Sequence, residues 1–123
     1  FVTGLGVSVA AGDTMSMLAV TGAVSLTSAN VLNYTAATVA NAAALELALE
    51  AGGGILTTGA TGVTADDATL IMYDNGTNIM LAVVTYSATV GATTKVAAVD
   101  VADIATLTGV TTDLVASDFS FIA

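Results

Sequence analysis

Asp66 and Asp67 stand side by side in "TGVTADDATL", the densest pair of chemically competent groups in the chain. With Asp100 and Asp103, and then Asp113 and Asp118, they belong to a set of ten carboxylates against one cation, Lys95, for a net charge of −9. Oxygen donors of this kind suit Ca2+, which accepts carboxylates, backbone carbonyls and Asn side chains. Asp66, Asp67, Asp100 and Asp103 are therefore the candidate ligands, and Ca2+ the candidate ion. None of the acids has EF-hand spacing: "DNGTN" supplies one acid and two amides and lacks the distal Glu. Asp74 is better explained by the turn it opens.

Catalysis has little to work with. The chain has no His and no Cys, so Ser-His-Asp triads, thiol nucleophiles and thiolate metal sites are all excluded. Paired carboxylates could in principle cleave glycosides. Such sites stack sugars on aromatic rings, and this chain has no Trp, three Tyr and three Phe. No enzyme is expected. A carbohydrate-binding module would need an exposed platform made from Tyr34, Tyr73 and Tyr86. Lys95 stands alone, and two roles fit it: an isopeptide cross-link to Asn30, Asn33 or Asn78, or an ordinary lysine that discourages pairing at a strand edge.

The same charge balance bears on partners. Phosphate recognition needs clustered Lys and Arg, so nucleic acid is excluded, and an anionic membrane surface would repel the chain. No apolar run approaches the ~18–20 residues of a spanning helix, so no membrane insertion is expected. With 55% of residues apolar and only 9% charged, core material is plentiful and little charge remains to keep an exposed surface monomeric. The length, 123 residues, fits one domain. The chain opens on Phe1 rather than Met, which suggests a processed product or a fragment, with any signal peptide already removed.

The elements that must position these groups are mostly strands. Val and Thr are abundant, Gly punctuates and Pro is absent. Short strands are expected over 2–9, 14–20, 23–26 and 31–34. One segment breaks the pattern: "TAATVANAAALELALEAGGG" predicts a helix over about 35–51, with Thr35 as N-cap and the glycine run as stop. Glu46 and Glu50 share one stripe of it and read as solvated charges on an otherwise covered helix. "ATLIMYDNGTNIMLAVVTY" predicts a hairpin about a type I′ Asn75-Gly76 turn. Asp74 then faces Thr77, Met72 faces Ile79, and Tyr73 faces Asn78. Both faces of such a hairpin are apolar, so the sheet should be covered on both sides, by the helix and by a second sheet or another subunit. "TTKVAAVDVADIATL" predicts a strand, a turn near 100–103 and a second apolar piece.

The C-terminal half carries a resemblance. "DDATLIMYDNGTNIMLAVV", followed by "DIATLTGVTTDLVASDFSFIA", resembles the C-terminal regions of RTX-type, S-layer-like and β-strand-repeat surface proteins exported by bacterial type I secretion. The matching pieces are the Tyr-Asp-Asn-Gly-Thr of 73–77, the Leu-Thr-Gly-Val-Thr of 107–111 and the Ala-x-Asp-Phe-x-Phe of 116–121, within a stretch of about 65–123. The calcium β-roll nonapeptide GGxGxDxUx is missing: Gly52-Gly53-Gly54 runs into Ile55 and Leu56. The resemblance therefore implies an extracellular, surface-assembling or export-related module without carrying over a β-roll.

Taken together, these features predict a mainly β domain over 1–123, a β-sandwich or covered antiparallel sheet with one helix. The expected function is a secreted bacterial structural subunit that joins copies of itself into a filament, sheath or surface layer at the cell surface. The alternative is a monomeric C-terminal secretion or adhesin module of a larger surface protein. A strand-rich chain with little charge and no proline leaves edges unguarded, and residues 1–10, "FVTGLGVSVA", would suit a strand-exchange arm.

Overall fold

A computed structural model of the chain describes residues 17–26, 31–60, 62–110 and 114–115. The expected strand-exchange arm and the acids Asp113 and Asp118 lie outside these residues. Among these residues seven strands and one α-helix follow in order: β1 (Met17–Val20), β2 (Val24–Ser25), β3 (Val31–Tyr34), α1 (Ala42–Glu50), β4 (Leu56–Thr57), β5 (Ala68–Asp74), β6 (Ile79–Tyr86) and β7 (Val99–Leu107). The molecule is mainly β with one helix, as its Val- and Thr-rich composition dictates.

The main sheet has five strands in the order β1-β3-β5-β6-β7, and β2 and β4 form a small second sheet. The β5–β6–β7 half is antiparallel, whereas β1, β3 and β5 run parallel, so the sheet is mixed rather than wholly antiparallel. Parallel neighbours need long crossovers. Each crossover here deposits one strand above the sheet: β2 between β1 and β3, then α1 and β4 between β3 and β5. β2 and β4 then pair in parallel, with Val24 beside Leu56.

Alternation along β5 sends Ile71 and Tyr73 to one face and Leu70 and Met72 to the other. The first face meets Leu45 and Leu49 of α1, Leu56 of β4 and Val96 in the principal core. The second gathers Val31, Met72 and Ile79, with Leu107, Val110 and Leu114 packed beside them. Both faces are apolar, but the small sheet lies on the same face as the helix, with Val24, Leu26 and Leu56 in the principal core, and among the described residues the other face is flanked only by Leu107, Val110 and Leu114.

Three local expectations change. The helix starts at Ala42, not near residue 35. The Val39 N–H is committed to the Asp74 carbonyl at 3.0 Å, and Asn41 takes over as cap by accepting the Ala44 N–H at 3.0 Å. The hairpin register moves by two residues: Asp74 pairs with Ile79, Tyr73 with Met80 and Met72 with Leu81. Asn75 Oδ1 accepts the N–H groups of Thr77 and Asn78, and Asp74 Oδ1 accepts that of Gly76, so side chains build a four-residue loop in place of a type I′ turn. Finally, 100–103 is no turn. β7 runs unbroken from Val99 to Leu107 and absorbs Ile104 as a bulge, the register against β6 shifting between Leu81 and Ala82.

The glycine run ends the helix by geometry. Gly54 has φ +102 and lies so close to the Val96 carbonyl that no Cβ fits there. Its N–H returns to the Glu50 carbonyl at 3.0 Å, and Ile55 N–H to that of Leu49 at 2.8 Å. The chain then passes to Thr58, a fully buried polar residue whose hydroxyl donates to the Gly91 carbonyl at 2.5 Å and accepts the Thr94 N–H at 3.0 Å. This knot fastens the loop above β4 to the loop before β7.

Candidate functional site

β7 lies at one edge of the main sheet, and an edge strand presents a row of backbone donors and acceptors to whatever lies beyond it. Two of these donors are taken by side chains. The Val99 N–H donates to Glu50 Oε1 at 2.9 Å, and the Val101 N–H donates to Glu46 Oε2 at 3.2 Å. The fit follows from two repeats. Residues four apart on a helix are ~6 Å apart along its axis, and alternate residues of a strand are ~6.8 Å apart. A helix laid antiparallel to β7 therefore places one carboxylate over each outward N–H. Leu45 and Leu49, both buried, hold α1 in this position from its core side.

Glu46 and Glu50 are thus acceptors for a strand edge, not merely solvated charges. The sequence carried a signal for this: two acids at i and i+4 on an apolar helix with no basic partner on it. Missing was the register between helix and strand, which only tertiary packing sets.

Past Val101, no strand or helix among the described residues covers the edge. Asp103, Ile104, Ala105 and Thr106 are exposed, and Ile104 keeps 55% of its surface. At the opposite edge, β1 pairs with β3 on one side. Among the described residues no strand pairs with its outer side.

The candidate metal ligands are spread along the sheet and carry structural bonds. Asp67 Oδ2 accepts the Thr64 N–H at 2.8 Å, and its backbone closes the end of the hairpin by accepting the Tyr86 N–H at 2.9 Å. Asp66 adopts φ +69 in the same turn. Asp100 Oδ2 accepts the Ser87 hydroxyl at 3.0 Å, and Asp103 Oδ1 accepts the Tyr73 hydroxyl at 2.7 Å. Among the described residues no three acidic side chains are grouped to hold a metal ion.

Lys95 is exposed, and its Nζ donates to the Gly52 carbonyl at 3.3 Å, beside the end of the helix. That acceptor is a backbone carbonyl and not the side-chain carboxamide of an Asn, which an isopeptide bond requires. Asn33 sits within β3 and Asn78 in the hairpin loop, while Asn30 lies outside the described residues. Lys95 stands opposite Thr57 in an isolated antiparallel bridge.

The three tyrosines make no sugar platform. Tyr34, Tyr73 and Tyr86 are all buried. Burial is the chief cause that holds the Tyr73 hydroxyl well above its ordinary pKa, and its bond to Asp103 and that carboxylate's charge add to it. Burial likewise pushes Tyr86 up, opposed by its 2.8 Å bond to Thr69 and aided by the charge of Asp67. Neutral phenols sealed into a core serve packing and hydrogen bonding.

No protein-family model matches the chain, and no curated protein or solved structure is significantly similar to it. No helix among the described residues is long and apolar enough to cross a membrane.

Proposed function

We propose that this chain is a secreted bacterial structural subunit that self-assembles into an extracellular filament, sheath or surface layer. Copies join by strand pairing and by burial of apolar surface at the joint. The observation that carries this reading is the pair of sheet edges left open among the described residues. β5 opposes β6 and β6 opposes β7, so β7 runs in the same direction as β5, β3 and β1. The β7 edge of one copy offered to the β1 edge of the next is a head-to-tail contact, and such contacts propagate into open filaments when the rotation does not close.

Neither strand carries a lysine or a proline, the common guards against edge pairing. Asp103 and the bulge at Ile104 mark the inner end of the open stretch, and Ala105, Thr106 and Leu107 beyond them are uncharged. Calcium enters this reading as a counterion: the net charge of −9 makes copies repel, and a divalent cation shared between acidic surfaces would relieve that repulsion.

A second reading has its own support. The parallel crossovers, with β1, β3 and β5 in one layer and β2 and β4 in the other, can stack onto coils that come before them in a longer polypeptide. The chain would then act as a monomeric C-terminal secretion or adhesin module. Light scattering of the purified chain across a concentration series separates the two. Mass that rises with concentration supports the subunit. A monomer at every concentration, with calcium and with chelator, overturns it and leaves the module.

A further inference from the structure

We infer that the Glu46–Glu50 pair is an edge guard that sets where copies may join: it closes β7 to strand addition at Val99–Val101 and confines pairing to residues 103–107. The inference rests on the self-assembly reading for its purpose, but the guard is a property of the single chain. A strand adding to an edge must supply carbonyls to the outward N–H groups. At Val99 and Val101 those groups already have acceptors at 2.9 and 3.2 Å, each a carboxylate oxygen and so a stronger acceptor than the carbonyl that would replace it.

The guard is fixed in place. Leu45 and Leu49 anchor α1 in the principal core, Asn41 caps its start, and Gly54 tucks its end beneath the Val96 carbonyl. An incoming strand would have to displace the helix body as well as the two carboxylates. Beyond Val101 neither obstacle stands among the described residues. Since a strand that slips by one residue exchanges its two faces, an edge that is open over only part of its length also restricts register. Polymers built this way would share one joint geometry.

Three forms of the full chain test this: the native protein, Glu46→Ala/Glu50→Ala, and Glu46→Gln/Glu50→Gln. Alanine suits helix positions, and glutamine keeps an acceptor oxygen without the charge. Two readouts are taken. Amide hydrogen exchange at Val99 and Val101 reports the guard in the monomer, and light scattering with electron microscopy reports association. In the alanine variant, exchange at both amides should accelerate by about tenfold or more while core amides such as Leu32 hold, and association should become faster and more polymorphic. The glutamine variant should stay near native exchange. Unchanged exchange in the alanine variant would refute the guard, whatever the assembly does. Accelerated exchange with unaltered association would refute its role in pairing. If the native chain stays monomeric, the subunit reading fails, yet new association of the alanine variant would still establish the guard.

Discussion

Gly54 shows how much one residue decides. Its φ of +102 and its position against the Val96 carbonyl leave no room for a side chain, and the neighbouring Gly52, at φ +64, has open space around it. The two glycines therefore predict different losses. Gly52→Ala should cost roughly 1 kcal/mol, the strain of a left-handed residue alone. Gly54→Ala adds a backbone collision to about 1–3 kcal/mol of strain and should lower the melting temperature by on the order of 10 °C. Thermal denaturation of the two variants side by side checks the contrast. Tyr73 offers a second test. Its hydroxyl and that of Tyr86 hold their protons more tightly folded than unfolded. The unfolded chain therefore releases them first, and stability should be intact below about pH 10 and fall as pH rises above it. Tyr73→Phe should shrink that alkaline decline, at a cost near 1 kcal/mol at neutral pH because Asp103 is exposed and water can replace the lost donor. Urea midpoints measured from pH 8 to pH 12 would show both effects.

At the scale of the element, α1 has three separable sides. Leu49 is buried in the principal core, so Leu49→Ala should cost about 2–5 kcal/mol. Leu47 keeps 72% of its surface, and Leu47→Ala should stay within about 0.5 kcal/mol. Chemical denaturation distinguishes them at once. The third side carries Glu46 and Glu50 to β7. Much of this was legible beforehand: alanine and leucine named the helix, glycine stopped it, and the apolar alternation of β5 and β6 required a sheet apolar on both faces. Other features were not. The hairpin loop length turned on Asn75, whose side chain bonds to the backbone ahead of it outweigh the preference of Asn-Gly for a two-residue turn. The strand through 100–103 looked broken because two aspartates interrupt it, although an edge strand accommodates both, Asp100 accepting the Ser87 hydroxyl and Asp103 that of Tyr73. The parallel pairing of β1, β3 and β5 leaves little trace in strands of four residues, too short to show the long apolar runs of a buried parallel sheet. The role of the glutamates needed the helix-to-strand register, which no local pattern contains.

For the whole molecule the governing balance is between apolar surface and charge. Ten acids against one lysine would repel neighbouring copies at long range, while in the proposed assembly the edges left open among the described residues would attract them at short range. Repulsion between exposed charges is screened within about 8–10 Å at physiological salt. Association should therefore accelerate when sodium chloride is raised from about 10 mM to 150 mM, and calcium should act at far lower concentration than sodium if it bridges acidic groups; light scattering under each salt follows both. The most direct test of self-assembly is negative-stain electron microscopy of the purified chain in millimolar calcium beside a chelated control. The account predicts ordered fibres or sheets, sparser in the chelated sample. Monodisperse particles in both samples would contradict it.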